Sequence, residues 1–425
     1  MKRLTLFAII FLTSCSLFIK NEKSDVEKAL KKNQAALNYC PIKRKANQLL
    51  GASENFVKSY RKLVQTLRLK KIHLSFIDRY VVYALMQMNS RPDQASPTSR
   101  HQVFIGHRGK DYYFDFFAKK SPAYPFLFGL DGLLKAFSSR YSLKRLGGLI
   151  DRYQKEPILV SQNFYSFLKQ NKKILKKSNL KNYYLKAGQI LHPGESIPKL
   201  KLKSIIAKYY KNKKNVGRFK TLVRYIPSEK SKINTSDSNI HCNIDLNLYN
   251  RPLYLSKGAY GDSANFGLFD EGSVALGVTS QALDTLQGLW GTNLFQGTGT
   301  GYQARFCKIT RKENKMIFIS SKGKDPGQHL SHFLKRNAHY IDSFKNVDDL
   351  ITSARYLHLV DPLRIIYESR RGSKLKLNML RKEGYPLYHS SNLGYIWAWG
   401  KFGNLSSLFR DPRAHSFVSC PETEH

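Results

Sequence analysis

Charge and glycine fall in two separate blocks along this chain, and a single uniform fold texture does not accommodate both. From Tyr141 to Ile226 there are 21 lysines and arginines against Asp151, Glu156 and Glu195, a net of +18. From Ile240 to Gly301 the balance reverses: Arg251 and Lys257 face Asp245, Asp262, Asp270, Glu271 and Asp284, and ten of the 27 glycines lie there. Helical spacing dominates before the change and strand-and-turn texture after it, so the expected fold class is α+β. The division runs as a basic, mainly helical domain over residues 15–226, a polar linker at 227–239, and a Gly-rich, mainly antiparallel β domain over 240–425. A content of 42% hydrophobic and 12% aromatic residues argues for packed cores rather than disorder.

Within the first part, Val26 to Tyr39 and Asn55 to Met88 carry apolar residues at helical spacing, with Phe56, Tyr60, Leu63, Val64 and Leu67 on one stripe. His101 to Arg108 and Tyr112 to Phe117 flank Gly109-Lys110-Asp111 and predict a β-hairpin. Helical periodicity returns from Phe126 to about Leu180, and Ser204 to Tyr225 predicts an amphipathic helix pair with solvated lysines. In the second part the strand candidates are Cys242 to Leu248, Tyr302 to Ile309, Met316 to Ser320, Leu363 to Glu368 and Tyr395 to Trp399, with a helical stretch from Gln328 to Phe344.

The first fifteen residues carry a basic start, Lys2-Arg3, a mostly apolar run from Leu4 to Leu12, and Leu12-Thr13-Ser14-Cys15. The apolar run is about half the ~20 residues a spanning helix needs. The segment resembles the precursors of bacterial lipoproteins. That resemblance implies cleavage of a signal peptide at 1–14 and acylation of Cys15; with Ser16 rather than aspartate following, it implies an outer-membrane anchor on the periplasmic face. Removing Lys2 and Arg3 leaves the mature chain at +39. The remaining cysteines, Cys40, Cys242, Cys307 and Cys420, are then disulfide candidates, and Cys242 with Cys307, each in a strand-like run, is the favoured pair.

Two serine patterns bear on catalysis. Gly261-Asp262-Ser263 follows a strand-like run, where a tight turn exposes a nucleophile. The triplet resembles the first block of the SGNH, or GDSL, esterases. Gly291-Thr292-Asn293 and the Asp411 to His415 segment partly match two further blocks, which implies catalytic roles for Ser263, Asn293, Asp411 and His415. Ser166-Phe167-Leu168-Lys169 has the Ser-x-x-Lys spacing of the penicillin-binding proteins, and Ser263-Ala264-Asn265 matches their Ser-x-Asn element. Ser59 to Lys62 repeats the Ser-x-x-Lys spacing, however, and no Lys-Thr-Gly or Lys-Ser-Gly occurs, so chance accounts for it.

His329 and His332 are one helical turn apart but lack a third ligand, and His339 is about 10.5 Å along the axis from His332. The Gly297 to Gly301 run misses both phosphate-loop and dinucleotide spacings. No metal, cofactor or nucleic-acid partner is expected. The net charge favours a non-catalytic lipoprotein that binds an anionic envelope partner, peptidoglycan or lipid phosphates, or serves an envelope assembly. Its binding residues would include Lys172, Lys173, Lys176, Lys177, Lys211, Lys213 and Lys214. The alternative is the esterase built on Ser263.

Overall fold

Serine sets most of the capped helix starts in this chain. Ser53, Ser75, Ser142, Ser161 and Ser343 each accept a hydrogen bond from the backbone N–H three residues on, and Ser75 completes a capping box with Asp78. The computed structural model describes residues 38–97, 99–116, 124–177, 181–211, 231–234, 239–242, 261–262, 264–282, 305–321, 330, 333–334, 341–360, 363–368, 378, 381–384, 386–390, 393–414 and 416–420.

In chain order the first elements are β1 (Ile42–Lys43), β2 (Asn47–Gly51), α1 (Glu54–Leu69), α2 (Phe76–Ser90), β3 (Arg100–His107), β4 (Lys110–Asp115), α3 (Pro125–Ala136), α4 (Leu143–Tyr153), α5 (Gln162–Gln170), α6 (Lys172–Lys177), α7 (Lys181–Tyr184), β5 (Leu185–Lys186), β6 (Gln189–Ile190) and α8 (Leu202–Lys211). There follow β7 (Ser231–Asn234), β8 (Asn239–Cys242), β9 (Gly261–Asp262), β10 (Asn265–Asp270), β11 (Ser273–Ala282), β12 (Arg305–Arg311), β13 (Asn314–Ser321), α9 (Phe344–Thr352), β14 (Tyr356–Val360), β15 (Leu363–Tyr367), β16 (Leu387–His389), β17 (Tyr395–Phe402), β18 (Leu405–Phe409) and β19 (Phe417–Val418). The protein is α+β.

Two antiparallel sheets carry the architecture. One has the order β1-β18-β17-β13-β12-β8-β7, the other β19-β2-β10-β11-β3-β4 with β9 beside β11. Between them lies an apolar layer that includes Leu50, Phe104, Val274, Leu276 and Val278 from one sheet and Phe306, Ile317, Ile319, Trp397 and Trp399 from the other. The outer face of the second sheet packs Val103, Phe114, Phe266 and Leu268 against α1 to α5 and α8. The outer face of the first packs Cys307, Phe318 and Ile396 against Val347 and Ile351 of α9. The stack is therefore helix, sheet, sheet, helix. Strands buried on both faces lose the apolar/polar alternation that would mark them in a sequence, and β10 is buried at all of its positions.

The division at residues 227–239 is corrected by the sheet order. β10 and β11 of the supposed second domain pair with β2 and β3 of the supposed first, and β7 lies inside the supposed linker. Residues 37–425 form one compact unit. The charge contrast that suggested a boundary is a surface property, whereas the core runs across it. The helix expected over 55–88 is two helices, parted after Lys71, which adopts a positive φ of 57°. The helical stretch expected to end at Phe344 has α9 beginning there; residues Val26 to Ala36 lie outside the described set.

Tight β-hairpins fix the sheet registers. Arg108-Gly109 and Glu271-Gly272 all have positive φ and occupy two-residue turns, between β3 and β4 and between β10 and β11. Cys242 and Cys307, directly opposite in the β8–β12 ladder, are joined by a disulfide. Cys40 and Cys420 are free thiols in hydrogen-bond contact; burial, the Cys40 hydrogen bond and its charge push the Cys420 thiol up to about 12.

Candidate functional site

In the second sheet, Ala264 lies between β9 and β10 and outside both strands. Both strands pair antiparallel with β11, Asp262 opposite Gln281 and Asn265 opposite Val278, and the register is the same on both sides of position 263. At the interruption the bridging bonds come partly from a side chain. The Thr279 N–H donates to the Ala264 carbonyl at 2.9 Å. The Ala264 N–H donates to Thr279 Oγ1 at 3.0 Å, and that hydroxyl donates to the Gln94 carbonyl at 2.6 Å. Thr279 is fully buried. Its hydroxyl thus locks the backbone next to position 263 onto the 91–97 loop.

Alternation along β10 puts the next residue on the opposite face, between the sheets. There Asn265 exchanges hydrogen bonds with Ser321 at the end of β13: Nδ2 donates to Oγ at 2.8 Å, and Oγ lies 3.1 Å from Oδ1. Both residues are buried. An amide donor and a hydroxyl buried where two sheets meet form an environment suited to stabilising developing negative charge on a carbonyl oxygen.

His101 stands across β11 from Thr279. It is fully buried and lies against Tyr80, Phe116, Phe126 and Phe266. Its Nε2 is 3.0 Å from the Tyr80 hydroxyl, while Nδ1 has no partner. Two glycines make room for this group. A Cβ on Gly129 would meet the Phe116 ring at 2.8 Å and His101 Nδ1 at 3.2 Å, and one on Gly277 would collide with the Tyr80 hydroxyl. Burial pushes the imidazole down to about 3, so it is neutral at physiological pH and Nδ1 faces the α3 backbone rather than Thr279.

Of the sequence-derived site residues, Ser263, Asn293 and His415 lie outside the described residues, as do Cys15, Lys213, Lys214, His329, His332 and His339. Asp411 is described and is not available to orient a catalytic histidine. It is fully buried, its carboxylate bound by Arg355 at 2.6 Å, by Arg413 at 3.2 Å and by the Ile396 N–H at 2.8 Å. The Ser166 hydroxyl donates to its own helix at the Gln162 carbonyl, 3.0 Å away. Lys173, Lys176, Lys177 and Lys211 are exposed, and Lys172 is half-buried, bonded to Gln189 at 2.9 Å. Among the described residues no group of three or more His, Cys, Asp or Glu side chains is placed to hold a metal. Sequence reasoning named Asn265 only within a chance pattern and missed Thr279 and Ser321, whose roles arise from pairings 15 and 56 residues apart.

No protein-family model matches the sequence, and no curated protein matches it by sequence. Solved structures match by fold. The cephalosporin acylase of Bacillus halodurans aligns with a TM-score of 0.60 at 9% identity, covering 90% of this chain and 97% of its own. Two structures of the protein LmbA2991 align with TM-scores of 0.57 and 0.56, at 10% and 9% identity, covering 90% and 89% of this chain and 99% of theirs. This finding corrects the expectation of a non-catalytic protein that binds an anionic envelope partner, an expectation that rested on net charge. The esterase alternative is not supported either, since Asp411 is committed to two arginines. Over nine-tenths of its length, the chain is similar in fold to a cephalosporin acylase.

Proposed function

We propose that this protein is an enzyme of the acylase kind, a hydrolase that removes an acyl group from an amide. The observation that carries the reading is the buried amide–hydroxyl pair Asn265 and Ser321 between the two sheets, with Thr279 bracing the neighbouring Ala264 backbone from the opposite face, in a helix-sheet-sheet-helix fold shared with an acylase. The reaction needs a hydroxyl to attack the acyl carbon, donors to hold the oxyanion, and a proton for the departing amine. Asn265 supplies a donor at the point where β10 meets β13. Thr279, whose proton is committed to Gln94, positions the 263–265 backbone rather than attacking.

The test is hydrolysis of a panel of N-acyl amides by the purified protein, with acyl trapping mapped by mass spectrometry. Asn265→Ala should lower kcat about 10²- to 10³-fold, as loss of one oxyanion donor does. Thr279→Val should also lower it, and should cost about 1–3 kcal/mol of stability because it leaves the buried Ala264 N–H unpaired. A folded protein that turns over none of the panel and acquires no acyl label refutes the proposal.

Lipid anchoring through Cys15 belongs to the same reading, supported by the lipoprotein-like leader. No helix among the described residues is long and apolar enough to cross a membrane, which leaves acyl chains as the attachment proposed. Cys15→Ala should abolish lipid labelling and move the protein out of the membrane fraction. Retention of the variant through high-salt and carbonate washes counts against the anchor.

A further inference from the structure

α1 presents a second polar surface that the proposed chemistry does not use. Asn55, Lys58, Ser59, Lys62 and Gln65 recur at helical spacing on one face. With Arg61, the turn before β2 and Glu156, they line an open groove of about 700 Å³, a volume within the ~300–1,000 Å³ range of small-molecule sites. Asn47 on its rim pairs with Asp270, at the opposite end of the six-residue β10 from Asn265. At ~3.4 Å per residue that places the groove roughly 17 Å along the sheet from the candidate site.

The groove offers donors and positive charge. Lys58 and Lys62 are each half or more exposed and, among the described residues, are held by surface pairs with Glu54 and Glu156, at 2.9 and 2.7 Å. Exposed pairs of this sort are worth about 0–1 kcal/mol, so an incoming anion displaces them at little cost. Arg61 makes no ion pair or hydrogen bond with a described residue. The Asn55 Oδ1 accepts the Leu159 N–H at 3.0 Å, and the Ser59 hydroxyl donates to the Pro157 carbonyl at 3.3 Å. What Asn55 has left to offer is its NH₂. Lys43, Arg44 and Lys45 form the adjacent exposed turn, and Glu156 is the one carboxylate in the lining.

The geometry points to a binding site for a small polyanion in this groove, a ligand whose phosphate or carboxylate oxygens bridge Arg61 to Lys58 and Lys62. The guanidinium fork suits a bidentate anion contact, and two flanking ammonium groups three and one residues away suit a second anionic group on the same molecule.

Calorimetric titration of the full chain at fixed ionic strength tests this, with inorganic pyrophosphate in one arm and citrate in the other. One saturable equivalent is expected in at least one arm, and the arm that binds says whether phosphate or carboxylate is the recognised group. Arg61→Gln should weaken binding at least tenfold with an unchanged melting curve, and so should the Lys58→Gln, Lys62→Gln double variant. Lys173→Gln, on the exposed face of α6, should bind like wild type. Absence of saturable binding in both arms overturns the inference, as does undiminished binding by Arg61→Gln or an equal loss in Lys173→Gln. None of these readouts depends on catalytic activity, so the fate of the acylase proposal leaves the result intact.

Discussion

Asp411→Ala should lower the free energy of unfolding by about 3–5 kcal/mol, the cost of removing one member of a buried ionic cluster and stranding its partners. The cluster is Arg355, Glu368, Asp411 and Arg413, all buried. Arg413 meets Glu368 at 2.6 Å and Asp411 at 3.2 Å, and donates to the carbonyls of Ile351 and Ser353 at 2.8 and 2.6 Å. Glu368 in turn accepts the N–H groups of Arg355 and Leu393. The group therefore ties the C-terminal carbonyls of α9, which a helix leaves unsatisfied, to the start of β17 and the turn after β18. Burial works to raise the Asp411 carboxyl, yet Arg355, Arg413 and two backbone N–H groups prevail and hold it below the usual carboxylate range. A depressed carboxylate contributes stability that is present above its unfolded value of about 3.9 and lost as pH falls through the folded one, so this network weakens only in strong acid. Urea denaturation of Asp411→Ala at pH 7 is the measurement. A midpoint equal to that of wild type would mean that the cluster contributes nothing.

The same residue shows why the site was only partly legible. An aspartate near a histidine in sequence reads as half of a catalytic pair, but its partner Arg355 comes from 56 positions upstream, and Glu368, which Arg413 ties into the cluster, from 43, and neither carries a motif. Local signals fared better. The Phe56 to Leu67 stripe became α1, and Gly109 between two apolar runs became the β3–β4 turn. The break after Lys71 was readable in principle, because Ser75 with Asp78 is a capping box, but an apolar stripe that continues past a break masks it. The sheets themselves were not legible. β2, β3, β10 and β11 are neighbours through pairings 168 to 223 residues apart, and β10, buried on both faces, lacks alternation. The candidate site depends on that pairing: Thr279 matters because β11 delivers it to Ala264, and nothing within three residues of Thr279 announces it.

Acidification should destabilise the protein well before the Asp411 carboxylate protonates, and His101 is the cause. Burial depresses this imidazole to about 3 from an ordinary value near 6.5. A histidine held neutral in the fold but free to charge when unfolded contributes stability that is complete above pH 6.5 and is lost as pH falls toward 3. At 1.36 kcal/mol per pH unit, the loss is about 3 kcal/mol between pH 6.5 and 4.5, and on the order of 5 kcal/mol by pH 3. Nothing around the ring can accept the extra proton's charge. Its neighbours are the Tyr80 hydroxyl and the Phe116, Phe126 and Phe266 rings, and no carboxylate of the described residues bonds to it. His107 is also lowered, by burial and by Arg108, but it is more exposed, near the tip of its hairpin, and contributes less. The window from pH 6.5 to 4.5 separates His101 from the Asp411 network, which persists below it. His101→Phe places an apolar ring among phenylalanines and leaves the Tyr80 hydroxyl unpaired, so it should be less stable than wild type at pH 7 by about 1–3 kcal/mol. Across the window, however, its stability should be nearly flat while that of wild type falls. Parallel pH profiles for the two proteins, measured by urea denaturation at half-unit steps, would show that His101 titrates normally and that the aromatic box does not exclude its charge.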